Sequence, residues 1–269
     1  MTARPEALRR RLVLSAPQRE MRASASPFQR SDGGLAAILG GAALHEIYAA
    51  AGADAPAAAA FALLAGLSQS PRLIWARQVL LDLELGCPAP HGLAELGLDP
   101  SAVVLVRARD AAEALQAGFD AARRRIAQTV LIEMIGPARA YDLTASRRLV
   151  FAAQKTGVGV FIARSDALPA PSAATTRWRV RAAISQSQAA NAPGAPSFAL
   201  ELLRRRNGRE GLNLLVEWSR EARSFVLREH LVGSGKRGDA CTSLSGPLVS
   251  VSADGTSNVD GYIPDRRAG

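Results

Sequence analysis

Cysteine is scarce in this 269-residue chain: Cys87 and Cys241 lie far apart and form no CxxC pair. Their spacing argues against a disulfide framework and against a zinc-ribbon pattern. The three histidines, His45, His91 and His230, are equally scattered, and no two of them have metal-ligand spacing. No Ser/His/Asp order stands out either, so the sequence gives no indication of hydrolase or metal chemistry.

Long apolar segments are also missing. The longest, residues 56–67, is mostly alanine and is too short to span a bilayer. The N-terminus carries charges but no apolar core of signal-peptide length. We therefore expect no membrane association and a cytoplasmic location, with nucleoid association open, and the reducing cytoplasm suits two unpaired cysteines.

Basic residues dominate the charge, with 33 Lys and Arg against 24 Asp and Glu, a formal charge of +9 and a pI near 10.8. Most of these cations are arginine, which favours bidentate contact with phosphates or carboxylates. This balance allows DNA, RNA or an acidic protein as partner and specifies none of them. The 48% of hydrophobic residues are enough to build a sizeable core.

Composition divides the chain into three parts. Residues 1–40 are predicted to form a basic N-terminal arm that ends in a Ser/Gly-rich joint, "SDGGLAAILGG". Residues 41–230 are predicted to form the folded core. Residues 231–269 are rich in Gly, Ser and Asp with few large apolar residues in phase, which predicts a disordered tail.

The first half of the core alternates short apolar runs with helical stretches, which predicts an α/β fold with a parallel sheet covered on both faces. Asp110 and Thr144 are the predicted N-caps of two helices, and Gly157 is the predicted stop of the second. The strand candidates are "LHEIYA", "RLIWARQ", "VVLVRA", "TVLIEMI" and "VGVFIAR", and one buried helical face is predicted for Leu115, Phe119, Ala122 and Ile126.

After Pro169 the pattern changes to that of antiparallel strands. "TRWRVRAAI", "FALELLRRR" and "LNLLVEWS" are strand-like, and Asn207-Gly208 between the last two predicts a hairpin. "RSFVLRE" is a further candidate strand. We expect these strands to extend the parallel sheet.

The stretch "LHEIYAAAGADAPAAAAFALLAGL" has the layout of a strand, phosphate loop and helix. A phosphate loop needs backbone N–H groups, a lysine for the terminal phosphates and a hydroxyl for magnesium. The loop has one glycine, no lysine and no hydroxyl, and it adds an acid. Two interpretations remain, a lost ATP site or a small-residue turn that lets the helix pack closely; we expect no bound cofactor at Ala49, Gly52, Asp54, Ala55 and Pro56.

Glu133 ends an apolar strand where a metal-coordinating acid could stand, but without a loop lysine it is as readily a helix cap or the partner of a local arginine. The arginine clusters are most simply solvated helix faces. In "TRWRVRA" three arginines share one strand face, which predicts either a row of phosphate contacts or an amphipathic edge strand with its tryptophan in the core. The candidate DNA or partner contacts are Arg177, Trp178, Arg179, Arg181, Arg123 and Arg124.

Several phrases together resemble the ImuA family of damage-inducible mutagenesis proteins, over about residues 40–220. They are "RLIWARQ", "LDLELG", "LAELGLDPSAVVLVRARD", "LTASRRL", "PSAATTRWRV" and "LLVEW". The resemblance implies a RecA-like fold and an accessory role in SOS-induced translesion synthesis. It also implies an ImuB-like, Y-family polymerase-related partner and a DnaE-type error-prone polymerase, contacted directly or indirectly, with RecA as a further candidate partner.

Taken residue by residue, the resemblance implies that the residues of the RecA ATPase site are missing from this chain. The lysine and threonine of the RecA loop fall near Ala55 and Pro56, and its catalytic glutamate falls near Arg77. Residues 165–176 replace a RecA DNA-binding loop without any lysine. We therefore expect a non-enzymatic accessory protein. The alternatives are a regulator that binds single-stranded DNA, a residual ATPase completed by a partner, and a cell-division inhibitor like SulA.

Overall fold

The structure is a computed structural model and describes residues 34–186, 192, 194–206, 208 and 210–230. The helices are α1 Gly34–Leu39, α2 Ala55–Leu67, α3 Val79–Leu85, α4 Pro90–Glu95, α5 Ala111–Arg124 and α6 Leu143–Thr156. The strands are β1 Leu44–Ala49, β2 Leu73–Gln78, β3 Val103–Ala108, β4 Thr129–Ile135, β5 Gly159–Ser165, β6 Thr176–Ala183, β7 Ser197–Arg205, β8 Asn213–Ser219 and β9 Ser224–His230.

All described strands form one sheet in the order β3-β2-β4-β5-β1-β6-β7-β8-β9. The first six strands in this order are parallel to one another, and β7, β8 and β9 continue the sheet in antiparallel pairing. The predicted fold class, a mostly parallel sheet flanked by helices with antiparallel C-terminal strands, is confirmed. The hairpin predicted between β7 and β8 is also present, although Asn207 itself lies outside the described residues.

Two hydrophobic cores sandwich the sheet. On one face α1 and α2 pack against Trp75, Trp178 and Trp218, and on the other α5 and α6 pack against Val130 and Ile162. From β6 to β8, buried and less buried residues alternate. These strands therefore bury only the α2 side of the sheet, as is typical of antiparallel strands with one solvated face.

Several sequence-based expectations need correction. The predicted joint contains helix α1, which buries Leu35, Ile38 and Leu39 in the core. The strand carrying the arginine row is an interior strand and not an edge strand, because β6 pairs with both β1 and β7. Ile126 follows the end of α5 and is 60% exposed, so it does not belong to the buried helical face. The arm before residue 34 and the tail from 231 lie outside the described residues.

The N-cap of α6 is Asp142 and not Thr144. Its Oδ1 accepts a hydrogen bond of 2.7 Å from the Ala145 N–H, whereas Thr144 lies inside the first turn and is exposed. The predicted stop is confirmed, because Gly157 takes the left-handed conformation that favours glycine.

Replacing this cap gives a direct test of the assignment. We expect Asp142→Ala to lower the free energy of unfolding by about 1 kcal/mol, since one N-terminal N–H loses its acceptor. Thr144→Ala is the matched control and should change it by less than about 0.5 kcal/mol. Urea unfolding of the two variants measures both values, and a larger loss for Thr144→Ala would contradict the assignment.

None of the helices in the described part of the chain is long and apolar enough to cross a membrane.

Candidate functional site

The loop between β1 and α2 is short and is tied down by backbone bonds. The Ala50 N–H donates to the Val180 carbonyl at 3.0 Å, and a 3-10 turn at Gly52–Asp54 leads directly into α2. Pro56 lies in the first turn of α2 and has no N–H. The helix terminus therefore lacks one of the backbone donors that a phosphate would use.

The cleft beside this loop repels anions. It measures about 230 Å³ and lies between residues 49–52 and 166–168, and Asp166 is its one charged lining residue among those described. The Asp54 carboxylate follows in the loop and accepts the Ala182 N–H at 3.0 Å. A cleft whose described lining holds an acid and no cation does not neutralise phosphate charge.

The helix after the loop packs closely on the sheet. A Cβ added at Gly66 would lie 2.6 Å from Thr129 Cγ2, and the Thr129 hydroxyl donates to the Gly66 carbonyl at 3.3 Å. Only glycine, which has no Cβ, lets the helix backbone come this close to the strand. The geometry favours the interpretation of the loop as a small-residue turn for close helix packing.

Arg77 and Glu133 form a buried ion pair across neighbouring strands. Arg77 Nε donates to Glu133 Oε2 at 2.8 Å, and the Trp75 indole N–H donates to the same oxygen at 2.9 Å. Arg77 Nη1 donates to Asp82 Oδ1 at 2.5 Å and to the Gly86 carbonyl at 2.8 Å. Of the two roles predicted for Glu133, bonding a local arginine is the one observed.

This ion pair lies in the protein interior. The side chains of Arg77, Asp82 and Glu133 are each 4–5% exposed. Burial raises the pKa of Glu133, and the charge of Arg77 and the Trp75 N–H oppose that shift. The acid is therefore held by its donors in the protein interior.

A second buried polar cluster was not predicted from the sequence. Glu46 is fully buried and accepts hydrogen bonds of 2.6 Å from the Tyr141 hydroxyl and from Arg177 Nε. Arg164 lies against the rings of Tyr48 and Tyr141. Burial, and then the Glu46 charge, raise the pKa of Tyr141 well above its ordinary value. Burial followed by Glu46 also raises the pKa of Tyr48.

The predicted arginine row shares one strand face, but most of it is already paired. Arg177 is the first member and is bound to Glu46; Arg179 pairs with Glu201 at 2.7 Å. Arg181 is exposed and has no ion pair to any residue that the structure describes. Trp178 is fully buried, with its indole N–H 2.9 Å from Thr176 Oγ1, so its side chain is not available to a partner.

The other two candidate contacts lie at the end of α5. Arg123 is exposed, forms a 3.5 Å ion pair with Asp120 and lies 6.0 Å from the centre of the Phe119 ring. Arg124 is exposed as well. The structure does not bring these two arginines together with the β6 row, since α5 packs against β2, β3 and β4.

His45 is a core residue. It is fully buried on β1, stacks on Phe161 with ring centres 5.1 Å apart, and its Nδ1 lies 2.8 Å from Thr176 Oγ1. His91 is exposed. In the part of the chain that the structure describes, no group of three or more metal-ligating side chains occurs.

Burial lowers the pKa of His45 from its ordinary 6.5 to about 4. In the unfolded chain the imidazole binds a proton below about pH 6.5, whereas in the folded chain it does not. Stability therefore falls as the pH drops, and this residue accounts for about 3 kcal/mol between about pH 7.5 and pH 4. We expect this part of the loss to disappear in His45→Asn, as measured by urea unfolding at both pH values. An equal pH dependence in both proteins would contradict the buried neutral histidine.

Comparison with known proteins decides the family. No family model matches the chain. It is 35% identical over 184 residues to Protein ImuA from two strains of Caulobacter vibrioides, covering 62% of this chain and 71% of those proteins. The chain belongs to the ImuA family. Among solved structures, the likeness of this chain to the RadB recombinase has a TM-score of 0.44 at 15% identity, covering 67% of this chain and 89% of that one.

Proposed function

We propose that this ImuA-family chain is a non-catalytic accessory protein of an SOS-induced, error-prone translesion synthesis complex. In this role it docks an ImuB-like, Y-family polymerase-related protein and, directly or through that partner, a DnaE-type polymerase; RecA is a further candidate partner. The family membership supports the mutagenesis context. The remaining parts of the proposal rest on the chemistry of the β1–α2 loop and its neighbours.

One observation carries the non-catalytic part of the proposal. The position of the RecA general base holds Arg77, and the buried acid Glu133 on the neighbouring strand is already bound by Arg77 and Trp75. The cleft beside the β1–α2 loop has no cation among its described lining residues. Turnover of ATP needs charge neutralisation and an oriented water, and this arrangement provides neither of them.

Co-purification tests the docking role. The full chain, with an affinity tag, is expected to retain the ImuB-like protein encoded with it, with or without ATP. A tagged, unrelated basic protein of similar pI controls for nonspecific charge attraction. If both proteins are folded and do not associate, the docking proposal is wrong.

Single-stranded DNA binding is a second candidate function, favoured by exposed arginines, such as Arg124, that form no ion pair with a residue the structure describes. It predicts an affinity that falls steeply with salt as counterions are released. DNA binding that is absent or independent of salt would exclude it. Cell-division inhibition like that of SulA stays an alternative, and filamentation of cells on overexpression would support it over the accessory role.

A further inference from the structure

A basic cleft lies between the outer flank of α6 and the end of β7, away from the β1–α2 loop. It measures about 450 Å³ and is lined by Arg147 and Phe151 of α6, by Ser172, and by Arg204 and Arg206. The two arginine clusters are more than fifty residues apart in the sequence. They meet because β7 runs antiparallel to β6, so that the end of β7 lies beside the start of β6.

None of the residues that the structure describes neutralises the charges in this cleft. Arg204 Nη1 donates to the Ser172 carbonyl at 2.8 Å, which fixes one side of its guanidinium, and no described carboxylate forms an ion pair with it. Arg147 and Arg206 are exposed and form no ion pair with any described residue. Among the described lining residues none is acidic. Three guanidinium groups without an ion pair to a described residue therefore line one depression, where they can attract the oxygens of a phosphate.

The neighbouring face of β6 to β9 is different. There Arg179 pairs with Glu201, and Arg228 pairs with Glu217. In the row on β6 they leave only Arg181 without an ion pair to a described residue. The cleft at α6, with three such arginines, therefore offers a ligand more unpaired positive charge than the row on β6.

The cleft also presents an aromatic ring to solvent. Phe151 is 68% exposed and stands one helical turn after Arg147, on the same flank of α6. An exposed phenylalanine beside these arginines suits a polymeric ligand whose units each carry a phosphate and a flat ring. Single-stranded nucleic acids have this composition, and stacking of a base on an aromatic ring tolerates every base.

We propose that this cleft binds single-stranded DNA, with phosphates at Arg147, Arg204 and Arg206 and an unpaired base stacked on Phe151. An acidic peptide would match the arginines but would leave the exposed ring without a planar partner. Duplex DNA would match the arginines too, but its bases are already stacked in the helix. The inference deepens the DNA-binding candidate above and is independent of the docking of an ImuB-like partner.

The test is a fluorescence anisotropy titration of a labelled oligothymidylate with the full chain at several salt concentrations. Phe151→Leu, which keeps an apolar side chain without the ring, is expected to weaken binding about ten-fold. Arg147→Gln combined with Arg206→Gln should lower the slope of log K against log salt by about 1.4, as two phosphate contacts are lost. A duplex of the same length should bind more weakly than the single strand.

The double variant Arg179→Gln with Arg181→Gln removes the same formal charge from β6 and is the matched control, expected to keep the wild-type slope. The proposal is overturned if the wild-type chain does not bind the oligonucleotide. It is also overturned if Phe151→Leu binds as wild type, or if the β6 control loses more affinity than the cleft variant. Retention of the ImuB-like partner by every variant shows that failure here leaves the docking proposal intact.

Discussion

Replacing Arg77 with alanine is expected to lower the free energy of unfolding by about 3–5 kcal/mol. The guanidinium satisfies Glu133 and Asp82, whose side chains are each 4% exposed. Without Arg77, Glu133 is left buried without a cation and would have to ionise at high cost or take up a proton, while Asp82 keeps only its contact with the exposed Arg107. Urea unfolding near neutral pH measures the loss.

Arg107 is the matched control for this experiment. It contacts the other oxygen of Asp82, with Nη2 to Oδ2 at 2.5 Å, but its own side chain is 55% exposed. Water replaces its contacts readily, so Arg107→Ala should cost less than about 1 kcal/mol. Equal losses for the two variants would contradict the role assigned to the buried pair.

Trp178→Ala is expected to lower the free energy of unfolding by about 3–5 kcal/mol through the cavity that it leaves. The indole is fully buried and packs edge-on against Phe61 at 6.3 Å between ring centres. Its loss also removes the N–H donor to Thr176 Oγ1.

Phe151→Ala is the control for Trp178→Ala, because Phe151 is an aromatic residue that is 68% exposed. Its effect on stability should stay within about 0.5 kcal/mol. If Trp178 contacted DNA directly, Trp178→Ala would weaken DNA binding while leaving stability near wild type. That result would contradict the core position of the tryptophan.

The fold could be predicted from the sequence because its signals are local. Apolar runs such as "TVLIEMI" mark strands buried on both faces, and the Asp110 cap and Gly157 stop mark helix ends. The cap of α6 was misplaced by two residues because Asp142 and Thr144 are both good N-caps. The side chain of Asp142 reaches the Ala145 N–H. Which of the two residues caps the helix depends on the path of the chain before the helix.

The candidate site was only partly predictable. The missing lysine and hydroxyl of the loop are visible in the sequence, and so is the alternation that places three arginines on one face of β6. The Arg77–Glu133 pair joins residues 56 positions apart and depends on the pairing of β2 with β4.

The arginine cleft was missed for the same reason. Arg147 and Arg206 meet only after β7 has paired with β6. Taken singly, each arginine cluster looks like an ordinary solvated surface. The one local hint is the exposed position of Phe151 on the outer side of α6, four residues after Arg147.

We propose above that this ImuA-family chain docks an ImuB-like, polymerase-related partner without using nucleotide. The most direct test is the dissociation constant of the full chain for the ImuB-like protein, measured by titration calorimetry with and without ATP and magnesium. The account predicts the same constant in both conditions and no heat from ATP added to the chain alone. Binding that tightens with ATP would contradict it, and would mean that the β1–α2 loop forms part of a nucleotide site completed by the partner.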